Sequence, residues 1–231
     1  MIQLIKFTDV EKIYSDRNKS LDNINLGIRQ GEFIFLVGHS GAGKSTLLKV
    51  LTREEKVSSG RISVLGEDLC KIKHRNIHKY RRNLGIIFQD FRILREKTVY
   101  ENVEIAMRAV GAMSKDIKPR VMEVLEKVKI SDKYDKYPDE LSGGELQRVA
   151  IARAIVNRPS IIIADECTGN LDRENSISIL NILNDINKEG VTIIMATHDN
   201  ELINIFNKRV VQLEGGKIIK DTKREQYEDT V

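Results

Sequence analysis

The rhythm of apolar positions changes along the chain, and each change predicts an element. Ile24, Leu26 and Ile28 alternate with polar residues, the period of a half-buried strand, and Gln30-Gly31-Glu32 turns the chain into an unbroken apolar run at 33–37. Such a run implies burial on both faces. A helix is expected from Gly43, with Leu47, Leu48 and Leu51 turned inward, followed by short strands at 61–65 and 84–88. Over 98–128 the apolar positions recur every three or four residues, the helical period, and Pro119 is expected near the start of a second helix. Strands return at 161–164 and 191–196 with a helix at 173–188 between them, the alternation that builds a parallel sheet. The expected class is α/β, with a mostly helical insertion and a charged, solvated tail from Lys220.

Composition sets limits on this picture. The 231 residues are 41% hydrophobic, enough for a buried core without staples, and no repeat or Gly/Pro-rich linker divides them. Lys and Arg number 38 and Asp and Glu 34, a net charge of +4 with both signs interspersed. That is neither a disordered tail nor a strongly nucleic-acid-binding surface. With only Cys70 and Cys167 and no secretory pattern at the start, a reducing, cytosolic setting is expected. No apolar run approaches the roughly 18 to 20 residues that span a bilayer, so a membrane role is expected through a partner.

The chemistry begins where the 33–37 run ends. Gly38-His39-Ser40-Gly41-Ala42-Gly43-Lys44-Ser45 fits the phosphate-cradling pattern G-x-x-x-x-G-K-[ST], directly after a buried strand and before a helix. The glycines let backbone N–H groups wrap a polyphosphate, Lys44 would neutralise its outer charges, and the Ser45 hydroxyl would ligate Mg²⁺. A dinucleotide fingerprint fits worse, since Thr46 stands where its third glycine would be. Past the 161–164 strand, Asp165 is the expected metal-side acid and Glu166 the base or water-positioning group. Cys70, His74 and His78 are spaced to share a helix face, but Lys71, Lys73, Arg75 and Lys79 surround them, so a solvated helix is expected rather than a metal site.

Leu141-Ser142-Gly143-Gly144-Glu145-Leu146-Gln147-Arg148 resembles the signature sequence of ATP-binding cassette (ABC) ATPases. By itself the segment is an N-capped helix start with close-approaching glycines, another anion binder. The resemblance covers about residues 7–217 and implies a P-loop NTPase fold of the RecA-like kind, with an antiparallel β subdomain and a helical subdomain. In that reading one domain fills 1–231, its nucleotide-binding core at about 1–90 and 159–221 and its helical subdomain at about 91–158. It also implies roles for further residues. Tyr14 would stack on adenine, or be an exposed strand-end tyrosine; Gln89 would sense metal and water; Asp172 would serve the D-loop, as an N-cap or a contact to the opposite subunit; His198 would contact the γ-phosphate. Gly38 to Thr46 would hold ATP, with Lys44, Gln89, Glu166 and His198 catalytic, and Ser45, Gln89 and Asp165 on the metal. Ser142, Gly143, Gly144 and Glu145 would close on the ATP of a second copy, so the expected assembly is a head-to-tail homodimer and no nucleic acid is expected.

A narrower resemblance is to the cell-division branch of the family. It is carried by His39 within the cradle, Ile87-Phe88-Gln89-Asp90-Phe91-Arg92, Thr98-Val99-Tyr100-Glu101-Asn102 and Met195-Ala196-Thr197-His198-Asp199. It implies a peripheral ATPase on the cytoplasmic face of a bacterial membrane, coupled through an integral membrane partner to peptidoglycan hydrolases outside. The ATPase subunit of a lipoprotein or macrolide exporter is the alternative. Phe91, Ile93, Leu94, Val99 and Tyr100 would contact the partner's coupling helix, with core packing the alternative for at least half of them. One departure is Cys167, where the family usually has proline. Its thiol would lie near the nucleotide, so partial inhibition by thiol reagents, relieved by ATP, is expected.

Overall fold

The structure, a computed structural model, describes residues 3–14 and 19–222; of the expected charged tail, 223–231 lie outside the described residues. In chain order the first elements are β1 (Gln3–Ile13), β2 (Lys19–Arg29), β3 (Phe33–Val37), α1 (Lys44–Leu51), β4 (Ser59–Val64), β5 (Glu67–Asp68) and α2 (Ile77–Arg81). Next come β6 (Leu84–Ile87), α3 (Val99–Ala109), α4 (Ser114–Lys127), α5 (Gly143–Ile155), β7 (Ile161–Asp165) and α6 (Arg173–Lys188). The last are β8 (Thr192–Ala196), α7 (Asn200–Phe206), β9 (Arg209–Glu214) and β10 (Lys217–Asp221). They form two compact units, one from the chain's two ends, up to Arg81 and from Thr192 on, the other from Arg82 to Val191.

The first unit holds an antiparallel sheet ordered β2-β1-β4-β5, in which Phe7 faces Leu26 on one side and Ile62 on the other. All three are buried, because strand alternation sends them to one face. In the same unit β3 runs parallel to both β8 and β9, and β10 closes antiparallel on β9. Phe33, Ile34, Phe35 and Leu36 of β3 are buried, as their unbroken apolarity requires, each contributing about 1.5 to 3 kcal/mol over exposure. Leu47, Leu48 and Leu51 of α1 are buried as expected. Cys70, His74 and His78 do not share a helix: Cys70 and His74 lie in separate one-turn 3₁₀ segments and only His78 lies in α2. The expected single helix is interrupted at Ile72 and Lys73, which are extended.

The second unit pairs β6 with β7 in parallel and packs α5 on β6, with α3, α4 and α6 packed on α5. Gly85 of β6 explains how closely α5 approaches, since a Cβ there would lie 2.6 Å from the Ala154 carbonyl oxygen. Thr98 starts α3 with a capping box: its side chain accepts from the Glu101 N–H, and Glu101 accepts from the Thr98 N–H at 2.9 Å. Pro119 departs from expectation. It lies inside α4 rather than near its start, the helix beginning at Ser114, and the fold accepts the loss of one backbone hydrogen bond there. Ile117, Val121, Val124 and Leu125 supply the reason, a buried stripe that extends the helix through the proline.

Candidate functional site

The cradle is built from strained glycines. Gly38, Gly41 and Gly43 have φ of 146°, 78° and 107°, the left-handed side that glycine tolerates. Space gives a second reason at two of them: a Cβ on Gly38 would lie 2.3 Å from the Leu213 carbonyl oxygen, and one on Gly43 2.6 Å from that of Ser20. The loop is braced by the β9–β10 turn, where Gly216 donates to the Ala42 carbonyl at 3.1 Å and accepts from Asp22 N–H at 2.8 Å.

The helix behind this loop is open to an anion. α3, α5, α6 and α7 are each capped by a side chain, from Thr98, Ser142, Asp172 and Asp199. α1 has none, and no acidic residue in its first turn; α4, also without a side-chain cap, carries Asp116 there. Neither its N-cap nor its own first turn thus supplies an anion to the first N–H groups of α1, where the helix dipole favours one. Lys44 is only 7% exposed, and its ammonium bonds back to the carbonyls of Gly38 at 2.6 Å and His39 at 3.2 Å, which holds the charge over the loop. A polyphosphate fits this donor set. Ser45 is exposed at the same helix start.

Strand register gathers the other residues of the first unit. Leu36 of β3 faces Ala196 of β8, so Gly38 and His198, each two residues further on, leave the same carboxyl edge of neighbouring parallel strands. His198 is exposed there, and Asp199 caps α7 behind it. Tyr14, just past β1, is half-buried with the Lys12 ammonium 4.7 Å from its ring centroid. Lys12 is held by Glu55 at 2.8 Å, so one face of the ring already meets a cation.

The second unit repeats the device. Ile87 of β6 faces Ala164 of β7, so Gln89 and Glu166 leave one sheet edge two residues beyond that pair, with Asp165 just before Glu166. Glu166 turns with φ of 46°, and its carbonyl accepts the Gly169 N–H at 3.0 Å. Asn170 donates to the Gln89 carbonyl at 3.4 Å, which ties the two loops together. Gln89 and Asp165 of this unit each carry an oxygen of the kind Mg²⁺ takes, as Ser45 does in the first unit, so the chemistry of each side chain fits that ion. Among the described residues, no group of three or more His, Cys, Asp or Glu side chains is arranged to hold a metal by itself.

Ser142 caps α5 in a second capping box: its N–H donates to Glu145 Oε2 at 2.8 Å and its Oγ accepts from Glu145 N–H at 3.4 Å. Lys133 pairs with that carboxylate. Asp172 caps α6, taking the Asn175 N–H at 2.8 Å and the Asn175 side-chain amide at 2.6 Å. Cys167 corrects the expectation of a reactive thiol. It is 2% exposed, and burial pushes its thiol up to about 12, with Asp165 adding to the shift. A neutral, enclosed sulfur is a poor nucleophile.

The chain's similarity to known proteins agrees with this geometry. Residues 21–169 match the family model described as ABC transporter. The chain belongs to that family. Among curated relatives it is similar to the cell division ATP-binding protein FtsE of Streptococcus pneumoniae, 46% identical over 226 residues, which cover 98% of each chain. FtsE of Bacillus subtilis is 46% identical over 224 residues (97% and 98%) and that of Escherichia coli 45% over 215 (93% and 97%). Two solved structures share the fold. A dimeric ATP-binding cassette in a post-hydrolysis state with ADP and Pi is 33% identical with a TM-score of 0.85, covering 94% of this chain and 97% of the other. The cassette cbiO1 from Clostridium perfringens, part of the ABC transporter complex cbiONQ, is 31% identical with a TM-score of 0.91, covering 100% and 92%. This chain is thus an FtsE-like ABC ATPase, and among its described residues no helix is long and apolar enough to cross a membrane.

Several structural residues gave no motif signal. Asn175 and Asn170 hold Asp172 and the Gln89 loop, and Gly216 braces the cradle from far along the chain. Arg153 donates to the carbonyls of Phe91 at 2.6 Å and Arg92 at 2.5 Å, holding two residues with left-handed φ. Gly215-Gly216 is legible as a turn, but what each of these residues touches is set by tertiary packing. Of the apolar residues expected beside a coupling helix, Val99 is fully buried, whereas Leu94 is 38% exposed.

Proposed function

We propose that this chain is the ATP-hydrolysing subunit of an FtsE-like complex on the cytoplasmic face of a bacterial membrane. An FtsX-like integral membrane partner would carry its cycle to peptidoglycan hydrolases outside the cell during division. The observation that carries this reading is the 45–46% identity to FtsE proteins of three bacteria over at least 93% of the chain.

The roles follow from the side chains. Backbone N–H groups from Gly38 to Thr46 hold the phosphates, Lys44 offsets their charge, and Tyr14 stacks the base on the face that Lys12 leaves. Mg²⁺, when bound, neutralises charge on the outer phosphates, and Ser45, Gln89 and Asp165 would hold it. Glu166 orients the attacking water and accepts its proton, while His198 contacts the γ-phosphate. The helical subdomain at about 91–158 presents Ser142, Gly143, Gly144 and Glu145 to the ATP of a second copy, with Asp172 at the subunit contact. Each chain carries the uncapped helix start of α1 and, separately, the Gly143-Gly144 turn that Ser142 opens at α5, so two copies arranged head to tail would grip each triphosphate from both sides. ATP favours the closed pair and hydrolysis releases it.

Glu166→Gln tests the reading. It should lower ATP turnover by roughly 10² to 10⁴ while leaving ATP binding intact and trapping an ATP-dependent dimer. Undiminished turnover removes Glu166 from its role, and a variant that stays monomeric with saturating ATP and Mg²⁺ overturns the shared site.

A further inference from the structure

One charged surface has no part in the ATP cycle described above. Between Asp68 and Asp90 the sequence has no acidic residue, and the first unit carries Lys71, Lys73, Arg75, Lys79 and Arg81 there, all exposed. Without these five cations the chain's net charge of +4 becomes −1, so they outweigh the chain's entire positive excess. Among the described residues, none of Lys71, Lys73, Arg75 and Lys79 forms an ion pair, unlike Lys12 of β1, which pairs with Glu55, and Lys19 of β2, which pairs with Glu11 and Asp22.

The segment is also held firmly. Leu69 and Tyr80 are buried, Tyr80 donates its hydroxyl hydrogen to the Leu51 carbonyl at 2.6 Å, and burial pushes its phenol well above the usual tyrosine range. Arg53 reaches the Leu69 carbonyl at 2.9 Å, and Arg81 the Thr52 carbonyl at 3.0 Å. The cations therefore stand on a backbone pinned at both ends, presented outward without neutralising partners.

We propose that this surface is a direct contact to anionic lipid headgroups, docking the cassette electrostatically on the bilayer that holds its membrane partner. The inference rests on the reading of the chain as a membrane-complex subunit. A lipid surface suits the patch better than nucleic acid does: its one aromatic, Tyr80, is buried and offers no stacking platform, and its elements are too short to read a groove. No large apolar residue is exposed between Cys70 and Arg81, so the contact is charge at the headgroup level, not insertion. Each such cation near an anionic leaflet strengthens partitioning roughly fivefold, and salt screens it.

The test is sedimentation of the purified full-length chain with vesicles of phosphatidylcholine alone, or with about 30 mol% phosphatidylglycerol added. The chain should sediment with the anionic vesicles only and come off at about 0.5 M KCl. Lys71→Gln, Lys73→Gln and Lys79→Gln together should weaken partitioning roughly 100-fold. The equally charged control, with Lys115, Lys118 and Lys129 changed to Gln, should weaken it far less. Equal binding to neutral vesicles, equal loss in both triple variants, or tighter association with duplex DNA than with anionic vesicles at the same salt overturns the proposal. ATP hydrolysis by the same preparations separates the two readings. Turnover without lipid binding sinks this inference alone, and lipid binding without turnover sinks the ATPase reading instead.

Discussion

The side chain of Asn175 fills the space that a Cβ on Gly144 would need, with Oδ1 only 2.5 Å from that position. Both oxygens of Asp172 hold Asn175 there, so the Ser142-Gly143-Gly144 turn and the Asp172 cap are packed as one piece. Gly144→Ala must displace Asn175 and should cost about 1 to 3 kcal/mol of stability, with a fall in ATP turnover larger than any change in ATP affinity. Asn175→Ala removes the obstacle, so adding it to Gly144→Ala should recover part of the loss. A double-mutant cycle on turnover and on urea unfolding should show a coupling of about 0.5 to 3 kcal/mol, and simple additivity would dismiss the packing argument.

Asn102 anchors the segment that follows the Gln89 loop. It is fully buried; its side-chain oxygen accepts the Leu94 N–H at 2.8 Å, and its amide reaches the carbonyls of Leu94, Lys97 and Thr98, each at 3.0 Å. Asn102→Leu keeps the volume but strands these backbone groups, a loss of about 2 to 4 kcal/mol. Urea denaturation should show a lower midpoint with unchanged slope, and proteolysis should cut first at 92–98. A wild-type midpoint would mean that water replaces the amide at no cost.

The strand frame was legible because burial on two faces writes itself as unbroken apolar runs: 33–37 and 161–164 became β3 and β7 almost residue for residue. The cradle was legible because a tight glycine turn before a helix leaves few other residues possible. What stayed hidden was the network between segments. Nothing local to Asn175 reports its contact with Gly144, and nothing local to Gly216 reports its bond to Ala42, because both depend on how distant parts of the chain pack. Pro119 misled for the opposite reason: its local meaning was clear, and the buried stripe of α4 outweighed it.

Glu145 makes the signature cap pH-dependent. The Lys133 ammonium, then the Ser142 N–H, hold its carboxyl below the usual glutamate range. A depressed folded-state value adds stability that is complete above the ordinary glutamate range and is lost as pH falls through the lower, folded value. The stability gap between wild type and Glu145→Gln should therefore be largest near neutral pH and shrink in acid. Ser142→Ala should cost about 0.5 to 2 kcal/mol at neutral pH through loss of the cap. A gap that is constant from neutral pH down to the acid limit of folding would show that the Lys133 pairing contributes nothing.

The two cysteines should react at very different rates. Cys70 is exposed, while Cys167 is enclosed with its thiol pushed up to about 12, so at neutral pH almost none of it is the reactive thiolate. Maleimide or iodoacetamide on the native protein should label one site, Cys70, and leave ATP turnover intact. Unfolding in denaturant should expose the second thiol, and in a Cys70→Ser variant labelling should become limited by the opening of the fold. Because Cys167 directly follows Glu166, its modification, once forced, should abolish turnover rather than reduce it. Peptide mapping after brief labelling decides the matter: rapid native modification of Cys167, with ATP slowing it, would restore the reactive-thiol expectation and contradict the burial seen here.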